Sequence, residues 1–173
     1  MITDKKEQGG FEIKPKQFAN RERVYLCSPL SFKTREKLFQ TVCVASEYMQ
    51  HIKDNMGYFA ISVHTYLPAF VNDKILTQRE QMRALRMQIL EQCDIVMVCG
   101  KRVSLEMKQD VLYALKKNKK IVVFTPEVFK IVMKLVRISG VTVFDLRYDG
   151  NQPNLSKQPK VQSYSSFVKK CCG

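Results

Sequence analysis

Residues 93–124 constrain the fold more than any other stretch. Cys-Asp-Ile-Val-Met-Val-Cys-Gly is followed by Lys-Arg-Val-Ser-Leu-Glu-Met-Lys-Gln-Asp-Val-Leu-Tyr-Ala-Leu and then by Lys-Lys-Asn-Lys-Lys-Ile-Val-Val-Phe. Asp94 opens a short apolar run that Gly100 closes, the next segment repeats at a helical period, and a second β-branched run begins at Ile121. The unit therefore reads strand, loop, helix, strand. Such a βαβ crossover is right-handed and belongs to a parallel sheet covered by helices, with ligands bound at the carboxyl ends of the strands. The loop at 100–105, opened by Gly100, is accordingly a candidate site.

The rest of the chain repeats the same alternation. Val24-Tyr25-Leu26-Cys27 reads as a first strand running into Ser28-Pro29, and Leu38, Val42, Ala45, Met49 and Ile52 follow at helical steps toward a stop near Gly57. The first βα loop, 27–33, is an anion cradle by position, at the start of a helix. A second strand is expected over 59–64, ending at His64, and an aromatic-rich loop leads to a helix over about 75–92. That helix carries Met82, Leu85, Ile89 and Leu90 on its apolar stripe. Arg79, Arg83 and Arg86 are expected mostly toward solvent, with Arg79 nearest the loop and within reach of a ligand. Pro126 starts a further helix at its preferred first-turn position, and Val141 to Leu146 is expected to be the fifth strand. Five strands alternating with four helices give an α/β, doubly wound, Rossmann-like domain with a five-stranded parallel sheet and helices on both faces.

The domain is expected over 21–149. Residues 1–20 mix charges with Gly9, Gly10 and Pro15 without periodicity and read as a flexible arm; residues 150–173 turn to Asn, Gln, Pro, Ser and Lys and read as a flexible basic tail. At 173 residues and 45% hydrophobic, the chain fits one domain with a sizeable core. The net charge of +13 fits either a solvated basic surface or an anionic partner such as nucleic acid. No run approaches the roughly 18 apolar residues that span a bilayer, so no membrane partner is expected. Of six cysteines, Cys27, Cys43, Cys93 and Cys99 fall inside strands and a helix without a C-x-x-C pair. With no signal peptide read ahead of them, they are expected to be small buried hydrophobes in a reducing cytoplasm. Two distant histidines and no Cys/His spacing leave no metal site, and no cofactor is called for.

In the central unit, Met107, Val111, Ala114 and Leu115 form the stripe that faces the sheet, with Asp110 at its border beside Ala114. An acid there is costly unless hydrogen-bonded or functional. Ser104, six residues earlier, is placed to cap free helix amides or to bind a ligand oxygen. Both residues also have ordinary structural uses, as an N-cap and as a salt-bridge partner.

Val-Tyr-Leu-Cys-Ser-Pro-Leu at 24–30, Cys-Asp-Ile-Val-Met-Val-Cys-Gly at 93–100 and Ser-x-x-Met-x-x-Asp-x-x-x-Ala at 104–114 together resemble the nucleoside 2-deoxyribosyltransferase-like superfamily. With the segment 64–73 and Arg79 included, the chain looks like small uncharacterised members of that superfamily from phages and bacterial mobile elements. The resemblance spans roughly residues 22–125. It implies a flavodoxin-like sheet, a homo-oligomer, and cleavage or exchange of the N-glycosidic bond of nucleosides or nucleotides. It also implies that Asp110 is the nucleophile, that Tyr25 positions it, that Ser104 contacts the sugar or its 5′ phosphate, and that Ser28 lies in a phosphate loop. His64 and Arg79 match the phage-type subgroup, and Gly100 and Glu106 complete the substrate-binding set. The chain departs from the superfamily pattern in having Asp110 where Glu is usual, Glu106 where Gly is usual, and Met87 where a base-holding acid is sought. Aspartate is one methylene shorter, and a catalytic group displaced by about 1 Å can lose on the order of a hundredfold in rate.

Three function classes follow. The first is an N-glycosidase, hydrolase or transferase, acting on a nucleoside, a nucleotide or an NAD-like dinucleotide through Asp110. The second is a nucleotide-ligand-binding protein of the same shape that turns little or nothing over. The third, a nucleic-acid-binding accessory protein, rests on charge alone.

Overall fold

The computed structural model describes residues 22–29, 35–63 and 76–153. The expected arm, His64 and most of the expected tail lie outside them. Within them the chain runs β1 (Arg23–Cys27), α1 (Arg35–His51) prolonged by a π-helical turn (Ile52–Met56), β2 (Phe59–Ile61), α2 (Leu76–Gln92), β3 (Ile95–Val98), α3 (Leu105–Lys116), β4 (Lys120–Val123), α4 (Pro126–Ser139) and β5 (Leu146–Tyr148).

Every neighbouring strand pair is parallel, and the order is β2-β1-β3-β4-β5. This is the flavodoxin-like order: the chain steps outward from β1 to β2, then returns across β1 to reach β3. Because the direction of travel reverses, right-handed crossovers must put the first helix on the face opposite the others. Ala45 and Tyr48 of α1 share a core with Val24, Leu26, Ile95, Met97, Val122 and Phe124. Leu90 of α2, Met107 and Val111 of α3 and Val128 and Val132 of α4 share the other core with Tyr25, Cys27, Val96, Val98, Ile121 and Val123. Successive residues of β1, β3 and β4 alternate between the two cores, so these strands are apolar on both faces and read as continuous runs. Cys27, Cys93 and Cys99 are buried, Cys43 is half-buried, and all four are free thiols. Among the described residues, no helix is long and apolar enough to cross a membrane.

Two polar devices fix the ends of these elements. Asp94 accepts a hydrogen bond from the Arg23 amide at 2.8 Å, and its own amide donates to the Arg23 carbonyl at 2.9 Å, which locks the starts of β1 and β3 together. Lys119 Nζ donates to the carbonyls of Glu91 and Cys93 at 2.9 and 2.5 Å, closing the C-terminal end of α2 with a cation.

The sheet edges differ from expectation. The β2 ladder stops at Ile61 opposite Tyr25, while β1 continues to Cys27 against β3 alone. The fifth strand is Leu146–Tyr148, not 141–146: its ladder pairs Ile121 with Leu146 and Val123 with Tyr148. Two backbone bonds set that register, from the Ile121 amide to Asp145 at 2.8 Å and from the Asp149 amide to Val123 at 2.9 Å. The β-branched run that suggested a strand is an exposed connection, with Val143 72% exposed.

Candidate active site

The strand order reverses between β1 and β3, the place outside whose carboxyl ends open α/β sheets bind ligands, and α3 follows β3 there. Ser104 is the N-cap of α3: it has an extended backbone, and its hydroxyl accepts from the Met107 amide at 3.2 Å. Starting the helix there puts Met107, Asp110, Val111 and Ala114 on one buried stripe. Asp110 is therefore inside the stripe rather than at its border, and is only 1% exposed.

A carboxyl group so placed needs partners, and it has them on three sides. The Tyr25 hydroxyl donates to Asp110 Oδ2 at 3.0 Å, with both groups buried. Cys27 Sγ stands 3.9 Å from the same oxygen and 4.0 Å from the Met107 carbonyl. Arg86 Nε lies 3.0 Å from Asp110 Oδ1, with side-chain exposures of 10% and 2% for the pair. No well-aligned hydrogen bond accompanies this last contact, since neither Nε nor Oδ1 meets hydrogen-bond geometry. It is an ion pair held by charge.

Burial dominates the electrostatics. It pushes the Asp110 carboxyl from 3.8 up to about 6; the Arg86 charge and the Tyr25 and Cys27 hydrogen bonds pull the other way, and the Glu106 charge adds to the rise. Tyr25 and Cys27 are both held well above their ordinary values, first by burial and then by the Asp110 charge. Asp110 thus titrates near neutrality between two neutral donors. A carboxyl whose native value exceeds its unfolded one favours folding while protonated, so its contribution is complete below pH 3.8 and lost as the pH rises through about 6. Urea unfolding at pH 4 and 7.5 should show a stability difference between wild type and Asp110→Asn that changes by up to about 3 kcal/mol, with the wild type relatively weaker at the higher pH. Equal pH dependence in both proteins would mean that Asp110 is not sequestered.

The remaining expected site residues divide. Tyr25 and Asp110 are brought together, and Ser104 caps the helix that carries Asp110. Ser28 is 1% exposed, and its hydroxyl has no hydrogen-bond partner among the described residues. Gly100 is buried with φ +95°, and a Cβ there would stand 2.9 Å from Pro29 Cδ, so this glycine lets the loops after β1 and β3 close on each other. Its carbonyl accepts from the Thr125 hydroxyl at 3.1 Å. Glu106 is exposed in the first turn of α3. Met87, where a base-holding acid was sought, packs against the core. His64 and the Arg79 side chain lie outside the described residues.

Arg86 was expected toward solvent and is instead 8% exposed at the centre of the cluster. The signal was present: Met82, Arg86 and Leu90 follow at four-residue steps, so the arginine occupies a stripe position of α2.

A flavodoxin-like α/β domain with a sequestered carboxylate beside its switch point is the class that fold and geometry define. Residues 22–124 match a domain of unknown function, DUF7768, and the chain belongs to that family. No curated protein matches the chain. Among solved structures, the chain is similar to a 2-deoxyribosyltransferase from the psychrotolerant bacterium Bacillus psychrosaccharolyticus, at 18% identity and a TM-score of 0.45 over 60% of this chain and 72% of that one.

Proposed function

We propose that this protein cleaves or exchanges the N-glycosidic bond of a nucleoside or nucleotide, with Asp110 as the nucleophile. The observation that carries the reading is the 3.0 Å hydrogen bond from the Tyr25 hydroxyl to Asp110 Oδ2, formed beside the β1/β3 switch point between two residues of the motifs at 24–30 and 104–114. A carboxylate suits the task because it can form a glycosyl ester and then release it, while stabilising positive charge on the sugar. One Asp110 oxygen bonds to the anomeric carbon, the carbon–nitrogen bond breaks, and the base departs with the electron pair and takes up a proton from solvent. Water or a second base then attacks the same carbon and restores the carboxylate. Burial makes the carboxylate more basic than usual, and Tyr25 fixes its orientation. None of these steps calls for a cofactor or a metal.

A second reading keeps the ligand and drops the turnover. It is favoured by the 2% side-chain exposure of Asp110 and by the engagement of both its oxygens. Incubation with a panel of deoxynucleosides, their monophosphates and NAD, with chromatography for free base, separates the two. Release of base from a panel member is the expected result. Binding of one of them, read as a rise in Tm, without any release would replace the first reading with the second.

A further inference from the structure

The catalytic reading gives Asp110 a task without saying what keeps it charged in an apolar core. Oδ2 is committed to an aligned hydrogen bond from Tyr25, with Cys27 close by at 3.9 Å. Oδ1 meets, among the described residues, the side of a guanidinium, 3.0 Å from Arg86 Nε, in an ion pair without hydrogen-bond alignment. Both oxygens are thus engaged, Oδ2 by a neutral donor and Oδ1 by a cation, and in a buried site the contact with the cation is the costlier of the two to lose.

We propose that Arg86 is a positioning residue that holds the Asp110 carboxylate in its charged form. The use of that charge as a nucleophile rests on the glycosidic reading; the hold on the charge does not. Among the described residues, the charged and titratable groups facing Asp110 are Tyr25 and Cys27 from β1, Arg86 from α2 and Glu106 from its own helix, and Arg86 is the one cation of that set. Tyr25 and Cys27 are neutral donors, and Glu106 works against the charge. Without the guanidinium, burial is opposed by two neutral hydrogen bonds only, and the carboxyl shifts toward its protonated form. Arg86 is itself aimed by its place on α2, four residues from Met82 and from Leu90, and that helix is tied down at its end by Lys119.

The test compares Arg86→Gln, which keeps a polar side chain and removes the charge, with Arg86→Lys, which keeps the charge on an unforked head. The primary readout is the pH titration of the Asp110 carboxyl carbon by NMR, with Asp110→Asn supplying the assignment; it needs no turnover. In Arg86→Gln the midpoint should rise by about one pH unit or more, and in Arg86→Lys it should lie between that value and the wild type. For base release, the acid limb of the kcat/KM profile should move to higher pH by the same interval. A residue that merely packs would lower Tm and leave both midpoints where they were. An unmoved midpoint in Arg86→Gln overturns the inference, even if base release is seen in the wild type. A moved midpoint with no base released by the wild type sustains the hold on the charge and removes the glycosidic reading. Should Arg86→Gln not fold, Arg86→Lys decides alone: a midpoint above the wild type supports the inference, and an unmoved or lower one overturns it.

Discussion

Asp110→Asn is expected to lower base release at least about a thousandfold while leaving a folded protein at neutral pH. The amide has nearly the shape of the acid and can still accept the Tyr25 hydroxyl, so the 3.0 Å contact that joins β1 to α3 survives. What disappears is the oxygen that can form a glycosyl ester and leave again. Removing one member of a buried ion pair usually destabilises by about 3–5 kcal/mol, because the other charge is left without a partner. Here that cost is opposed, since burial already pushes the Asp110 carboxyl up to about 6 and the native state prefers it neutral. Comparing wild type and variant by free-base chromatography and by urea unfolding at pH 7.5 separates lost chemistry from lost structure. Activity that survived in a folded variant would take the nucleophile away from Asp110, and Glu106, four residues earlier on the same helix, would be the next carboxylate to test.

Burial that raises the Asp110 carboxyl to about 6 sets the charge of the ionised form against the fold around it. Sites that bind or transform ligands often carry such a local conflict. Among the described residues, the cluster of Tyr25, Cys27, Arg86 and Asp110 is where buried charge breaks the pattern of apolar strands and amphipathic helices. The same break explains what could be read from the residues alone. Alternation of strand and helix needs only local periodicity, and each crossover between parallel strands has one hand, so the parallel doubly wound architecture was legible. Asp110 was legible as well, because an acid beside Ala114 interrupts the helical stripe. Arg86 was legible in part: its four-residue steps from Met82 and Leu90 put it on the stripe, but a long charged side chain is normally solvated, and the partner that makes its burial tolerable lies on another element, 24 residues away in sequence. The fifth strand failed for a different reason. Residues 141–145 have the β-branched composition of a strand, but an edge strand is chosen by which amides meet the neighbouring ladder, and the bonds at Asp145 and Asp149 select Leu146–Tyr148. Long-range pairing overrode local preference in both cases.

Gly100→Ala should destabilise the domain by about 3–4 kcal/mol, from two sources that add at one residue. With φ at +95°, the backbone is in a region that L side chains avoid, and the added methyl would meet Pro29 Cδ at 2.9 Å and Cγ at 3.0 Å. Proline cannot rotate its ring away as a flexible side chain would, so the loops after β1 and β3 must separate. Gly57 and Gly140 provide the control: their φ values are +70° and +68°, and nothing lies within 4 Å of an added Cβ. Alanine at either should cost only about 1–2 kcal/mol from backbone strain. Urea midpoints for the three variants, with the m-value checked for constancy, measure the difference directly. Equal losses at all three positions would mean that the Pro29 ring is not seated on Gly100. The consequence reaches the site, because those loops follow the two strands between which the sheet order reverses, and Ser28 sits beside Pro29 at the end of β1. An alanine at 100 that spreads them should therefore weaken ligand binding more than its stability loss alone accounts for, whereas alanine at 57 or 140, at the ends of helical segments, should leave binding unchanged.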